Sequence, residues 1–207
     1  MMVLNWLDKY NNTTFGPIQK DEALFLFGLC AMVQPRHVLE YGVLLGQSSR
    51  VWLTAGAHVT AVDKTLSDEA RKLAQQFHGL ELHEADMAEF TPPNRPYDLI
   101  FVDASHRFED NMAVVEKVAH MDGALLIFHD TGHWREADMT KEMWWFFREF
   151  GGQQDGDLII HHPDEKRTIA EISRRYPAWQ RLDLWTTNKV RYGMTVFKIV
   201  TDELKWD

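Results

Sequence analysis

Residues 37–63 read HVLEYGVLLGQSSRVWLTAGAHVTAVD, and the order of patterns within this stretch decides the fold. His37 to Tyr41 is a short apolar run that stops at Gly42. Gly46 to Leu53 carries a short helical pattern, and Ala57 to Val62 is a second apolar run that stops at Asp63. A strand, a helix and a strand with short connectors imply a right-handed crossover and two parallel strands whose faces are both covered.

The same alternation continues on either side. Upstream, Ile18 to Val33 is helical, entered after Pro17 and stopped by Pro35. Downstream, Ser67 can cap a helix whose apolar residues, Leu66, Ala70, Leu73, Ala74 and Phe77, make one stripe closed by Gly79. Leu80 to Glu84 is a weaker strand, and Pro92, Pro93 and Pro96 mark a loop. Tyr97 to Val102 is a strong strand ending at Asp103. Phe108, Met112, Val115 and Ala119 share one helix face, and Gly123 to Phe128 is the most apolar strand, ending at His129-Asp130. Met139, Met143, Phe146, Phe147 and Phe150 give another helical stripe. Residues 151–177 are irregular in pattern, with a helix expected from Glu165 to Tyr176. Gln180 to Thr187 and Tyr192 to Val200, separated by Asn188 to Arg191, read as a hairpin. The expected fold class is α/β: a Rossmann-like, doubly wound, mostly parallel seven-stranded sheet with a C-terminal antiparallel hairpin. One domain over residues 1–207 accounts for the chain, with an N-terminal arm at 1–16.

Composition narrows the partners. Apolar residues make up 45% of the 207, enough to bury a core, and 31 acidic residues against 22 basic ones give a net charge of −9. A surface of that sign repels phosphate polymers and anionic lipid, so neither nucleic acid nor membrane is an expected partner. The single cysteine, Cys30, excludes an internal disulfide. The start, MMVLNWLDKYNNTT, shows no basic flank followed by an apolar stretch, and the apolar segment Ala23 to Val33 is too short to span a bilayer. A cytoplasmic location is the expectation. Adjacent Trp144 and Trp145 cannot face the same way, so one is expected at the surface, where a substrate wall or a homo-oligomer contact would use it.

In an open parallel sheet, ligands bind beyond the carboxyl ends of the strands. Glu40-Tyr41-Gly42, Asp63, Asp86, Asp103 and His129-Asp130 stand there, so every strand of the parallel set ends in or beside a carboxylate. As a set they point to a polar ligand lying along that edge. The loop from Glu40 to Ser48 contains two glycines but matches neither GxGxxG nor GxxxxGK[ST], and bulky Val43, Leu44 and Leu45 argue against a pyrophosphate cradle. An acidic residue about twenty positions on, Asp63, suits paired ribose hydroxyls, because a carboxylate accepts from both at once.

The ordered set HVLEYGVLLGQSS, VTAVDK, HEADM, YDLIFVDASH and GALLIFHD resembles class I S-adenosylmethionine-dependent methyltransferases over about Gly16 to Val200. Within them it looks closest to the small-molecule O-methyltransferase type, the catechol O-methyltransferase-like and macrolide or cephalosporin-pathway branches. The resemblance implies transfer of a methyl group to a hydroxyl of a small molecule. It also implies roles. Glu40 and Gly42 would border the methionine part of the cofactor, and Gly46 with Ser48 would donate to its carboxylate. Asp63 would hold the ribose, Asp86 and Met87 would sit by the adenine, and Asp103 would stand near the methyl donor. Residues 131–180 would be a substrate-side insert.

In metal-dependent members an Asp after the fourth strand and an acidic or amide pair after the fifth bind magnesium. Asp103, His129 and Asp130 fall on those positions. His129 departs from the pattern, since magnesium prefers oxygen and imidazole suits zinc, manganese or iron. Two readings stay open: a site for a divalent metal such as magnesium or manganese, or acid–base and substrate-binding groups without one. His106, three residues after Asp103, is the expected base; a nearby metal would lower its pKa and Asp103 would raise it. His133, His161 and His162 are lesser candidates on loops. Trp6 and Phe15 of the arm are candidates to close the mouth. The rivals are a nicotinamide oxidoreductase using Asp63 and a non-catalytic S-adenosylmethionine-binding protein.

Overall fold

The computed structural model describes residues 7, 10, 18–149, 151–184 and 193–201. Five parallel strands form the centre: β1 (His37–Tyr41), β2 (His58–Asp63), β3 (Leu80–Glu84), β4 (Leu99–Val102) and β5 (Leu125–His129). β9 (Gln180–Leu184) and β10 (Met194–Lys198) extend this sheet, in the order β3-β2-β1-β4-β5-β10-β9, with β10 antiparallel to both of its neighbours. This is the doubly wound, mostly parallel seven-stranded α/β sheet that the alternating pattern implies. The expected turn at Asn188 to Arg191 lies outside the described residues, as do Trp6 and Phe15.

Period-two alternation sends β4 to both sides of the sheet. Leu99 and Phe101 join Val38, Ile127, Leu26, Trp52 and Leu73 in the core beneath α1 (Lys20–Val33), α2 (Gln47–Thr54) and α3 (Asp68–Gln76). Ile100 and Val102 join Leu126, Phe128, Met112, Val115, Ile169 and Ile172 beneath α4 (Phe108–Val118) and α6 (Pro163–Arg175). All four β4 residues are fully buried, as a central parallel strand requires.

Helix boundaries follow local chemistry. In α1, Glu22 accepts the Gln19 backbone N–H at 2.8 Å, which satisfies a donor left open at the helix start. Ser67 caps α3 by accepting the Ala70 N–H. The expected closure of α3 at Gly79 gives way to Phe77, whose N–H reaches the Leu73 carbonyl; Gly79 instead passes close to the Ala57 carbonyl, where a Cβ would be 3.4 Å away.

The region read as irregular is more ordered than its pattern. β6 (Trp134–Arg135), β8 (Leu158–Ile160) and β7 (Gln153–Asp155) form a second, antiparallel three-stranded sheet beside α5 (Lys141–Glu149). Strands of two or three residues are too short to show alternation, so the sequence conceals them. α6 begins at Pro163, ahead of the expected Glu165, because proline fits the first helical turn. α6 then lies along α4. Asp164 accepts the Phe108 N–H at 3.3 Å, and the Arg167 guanidinium covers the Phe108 ring at 3.7 Å.

The Phe101 ring meets Trp52 edge-on at 5.5 Å. Urea denaturation of Phe101→Ala should show a loss of about 3–5 kcal/mol. Leu182→Ala, at a largely exposed position of β9, should change stability by less than about 0.5 kcal/mol.

Candidate active site

β1 is flanked by β2 on one side and by β4 on the other, so the connections that leave β1 and β4 part at their carboxyl ends. Gly42 stands at this switch point with φ +92°, and a Cβ there would lie 1.8 Å from the Asp103 carbonyl oxygen. Only glycine permits that approach. The turn that follows is pinned by Asp63: its Oδ2 accepts the N–H groups of Val43 (2.7 Å) and Leu44 (3.0 Å), and its Oδ1 accepts that of Thr65 (3.2 Å). Ser67 Oγ donates to the Leu44 carbonyl at 2.5 Å. Asp63 therefore faces the turn after β1, and Oδ1 retains a lone pair for a further donor. Gly46, at φ +72°, precedes α2 as its N-cap.

Glu40 is fully buried. Its carboxylate accepts from Ser49 Oγ and, at 3.3 Å, from Trp52 Nε1. Burial pushes its pKa up to about 7, against the opposing hydrogen bonds of Ser48, Ser49 and Trp52. The Ser48 hydroxyl, expected on the cofactor side, thus bears on Glu40. Asp86 accepts the Ala88 N–H at 2.9 Å and lies 3.7 Å from the Lys64 ammonium, with Met87 buried beside it.

The second cluster gathers at the ends of β4 and β5. His129 Nδ1 lies 3.2 Å from Asp103 Oδ1 and 3.1 Å from Asp130 Oδ1, while its Nε2 lies 3.0 Å from Glu22 Oε1. His106 Nδ1 lies 3.0 Å from Glu165 Oε1, and its Nε2 faces both Asp103 and Asp130 at 3.9 Å. The His162 ring stacks on that of His106 with centroids 4.0 Å apart, and its Nε2 is 3.6 Å from Asp130 Oδ2. Asp130 and His106 hold left-handed backbone, φ +58° and +56°, which is uncommon outside glycine but which Asp and His adopt more readily than most side chains.

Charges here are strongly coupled. Burial favours neutral Asp103 and Asp130, but the His129 charge outweighs it and holds both below the usual carboxylate range. Burial likewise opposes charge on His129, and Asp103, Asp130 and Glu22 together raise it well above normal. On His106, burial is overcome by the Glu165 hydrogen bond and the Asp130 charge, which lift it to about 9. Burial lowers His162 to about 3 and His161 to about 4, with the His106 charge adding to both shifts.

Asp103, His129 and Asp130 fit a cation. Their ligand atoms lie within 4.8 Å of one another. His129 Nδ1 and Asp130 Oδ1 are buried and 3.1 Å apart, yet neither makes an aligned hydrogen bond. Separations near 3 Å are those of neighbouring ligand atoms around an ion bound at about 2.1 Å. His106, Asp130 and His162 also cluster, but the two rings stack within 24° of parallel, so their in-plane lone pairs run side by side and do not meet on one ion.

The sequence reading missed Glu22 and Glu165, and gave His162 only as a lesser candidate on a loop. A signal for the glutamates was present. Glu22 heads a buried series with Ala23, Leu26 and Cys30, and Glu165 one with Thr168, Ile169 and Ile172. A carboxylate at a core-facing helix position needs a buried partner.

Residues 39–131 match the family model described as methyltransferase domain. Cofactor-bound Rv0187 from MTB is similar with a TM-score of 0.66, 18% identity and coverage of 96% of this chain and 88% of that one. SAH-bound PaMTH1, a methyltransferase of Podospora anserina, gives 0.65 at 12% identity, covering 94% and 84%. The O-methyltransferase TomG of Streptomyces achromogenes, involved in tomaymycin synthesis and solved with SAM, gives 0.63 at 15% identity, covering 89% and 82%. At such identities the likeness establishes the Rossmann-like fold alone. No curated protein matches the chain by sequence. Among the described residues, no helix is long and apolar enough to cross a membrane.

The raised His106 pKa sets a pH dependence. A folded value of about 9 against an ordinary 6.5 stabilises the fold fully below about pH 6.5, and that contribution is lost as pH rises through about 9. In chelator-treated protein, Tm should fall by several degrees over this window, and His106→Gln should flatten the profile.

Proposed function

We propose that the chain transfers the methyl group of S-adenosylmethionine to a hydroxyl oxygen of a small molecule. The observation that carries this reading is the placement of Asp63. Its carboxylate closes on the turn after β1, at the crevice where Gly42 and Asp103 touch, and a second polar cluster lies across the same edge. Glu40, Gly42, Gly46 and Ser48 shape the methionine side of the cofactor pocket. Asp63 takes the ribose hydroxyls, and Asp86 with Met87 borders the adenine.

Asp103, His129 and Asp130 form the acceptor side and would hold a divalent cation. Such an ion, when bound, supplies Lewis acidity that lowers the pKa of an acceptor hydroxyl. The protein's own part is alignment. The acceptor oxygen attacks the methyl carbon in line with the breaking carbon–sulfur bond, S-adenosylhomocysteine leaves, and the hydroxyl proton passes to His106 Nε2. For that, His106 must be neutral. The carboxylates of Asp103 and Asp130 support its proton, so neutralising them leaves Glu165 on Nδ1–H and frees Nε2 as the acceptor. Residues 131–180, with the second sheet and α5, form the cover over the acceptor side.

Calorimetry with S-adenosylhomocysteine tests the cofactor half. Asp63→Ala should weaken binding about tenfold or more, equivalent to about 1.4 kcal/mol. Asp130→Ala should leave that affinity within about twofold and abolish turnover of a catechol-type acceptor panel. Unchanged turnover in Asp130→Ala would reject the acceptor site. Tighter binding of NAD than of S-adenosylhomocysteine would reject the cofactor.

A further inference from the structure

Glu22 reaches the acceptor side from α1, an element outside the strand ends that form the rest of it. Its two oxygens have separate tasks. Oε2 accepts the Gln19 backbone N–H at 2.8 Å, which fixes the carboxylate, and Oε1 stands 3.0 Å from His129 Nε2. Glu22 and His129 are both almost wholly buried, so water does not compete for this contact. A carboxylate on Nε2 holds the N–H of that nitrogen, so when a cation displaces the other ring proton it is Nδ1 that offers the lone pair. Nδ1 then points between Asp103 Oδ1 and Asp130 Oδ1, at 3.2 and 3.1 Å, and is aligned on neither. A carboxylate behind the ring, with the opposite nitrogen aimed among further ligand atoms, is the arrangement by which proteins orient a metal-binding histidine.

Resting on the reading of Asp103, His129 and Asp130 as a ligand set, we infer that the buried Glu22–His129 pair makes this a site for a nitrogen-accepting transition cation of the manganese, iron or zinc kind in preference to magnesium. Magnesium takes oxygen ligands in near-ideal octahedral geometry and dehydrates reluctantly. One of the three donors here is an imidazole nitrogen, and its orientation is fixed from behind. Imidazole affinity rises along the first transition row, so the fixed nitrogen favours those ions. Glu22 is a positioning residue in this account: it touches the ring and not the ion.

The test is calorimetric titration of the chelator-stripped full chain with Mn²⁺ and, separately, with Mg²⁺, and needs neither cofactor nor acceptor. The expected result is saturable binding of one Mn²⁺, about tenfold or more tighter than Mg²⁺. Glu22→Gln should weaken Mn²⁺ binding roughly 10- to 100-fold and change Mg²⁺ binding little. Because Glu22 also caps α1, a thermal scan accompanies that variant, and His129→Asn provides a second one that leaves the cap intact. His129→Asn should bring the Mn²⁺ and Mg²⁺ affinities within a few-fold of each other. Absence of saturable Mn²⁺ binding, Mg²⁺ binding as tight as Mn²⁺, or an unchanged ratio in His129→Asn would overturn the inference. Titrating the same wild-type sample with S-adenosylhomocysteine separates the two claims: loss of that binding rejects the methyltransferase reading, whereas the metal titration alone judges this one.

Discussion

Two carboxylates, Asp103 and Asp130, share a largely buried pocket at the ends of adjacent parallel strands, and each raises the cost of charge on the other. Like charges in low dielectric are tolerated only when cations or protons stand among them. The surroundings of this pocket answer that requirement. His129 sits between the two carboxylates, His106 faces both at 3.9 Å, and each ring is held from behind by a buried glutamate. The two glutamates come from helices at opposite ends of the chain, so the charge balance ties α1 and α6 to the strand ends. Loss of either helix would deprive one imidazole of a carboxylate that supports its proton.

This also gives the region after β5 a structural purpose. α6 meets α4 through Asp164 on the Phe108 amide, Glu165 on His106 and Asn111 Nδ2 on Thr168 Oγ1 at 3.5 Å. The Arg175–Glu116 ion pair extends the seam at the far end. The seam places His162 flat on the His106 ring. His106, in left-handed backbone, is thereby over-determined: a hydrogen bond fixes its rotation and a stacked ring fixes its plane. That is the rigidity a group needs if its Nε2 is to meet a reacting hydroxyl at hydrogen-bond distance.

The turn after β1 uses a different device. There the backbone carries the shape, through Gly42 against the Asp103 carbonyl and through the Val43 and Leu44 amides on Asp63. Glu40 beneath it is withdrawn into the core on Ser49 and Trp52, and so shapes the turn from below. A backbone-built turn tolerates bulky side chains pointing outward, as exposed Leu44 and Leu45 show.

The sequence by itself determined the sheet and its reading frame. Apolar runs alternating with helical stripes specify parallel strands, and carboxylates stand at the run ends, so Asp63, Asp103 and Asp130 were legible as residues of one sheet edge. Helix boundaries at Lys20 and Pro163 shifted by only a few residues, since caps and prolines act locally. The tertiary structure alone decided what stands behind the site. The Glu22–His129 and His106–Glu165 pairs join residues far apart in the chain, and no local pattern encodes which buried carboxylate will find which imidazole. The second small sheet was hidden for the opposite reason: its strands are too short for any periodicity to accumulate. Local sequence fixes backbone geometry through short-range sterics and burial, whereas the pairing of buried charges is settled only when packing brings distant segments into one low-dielectric space.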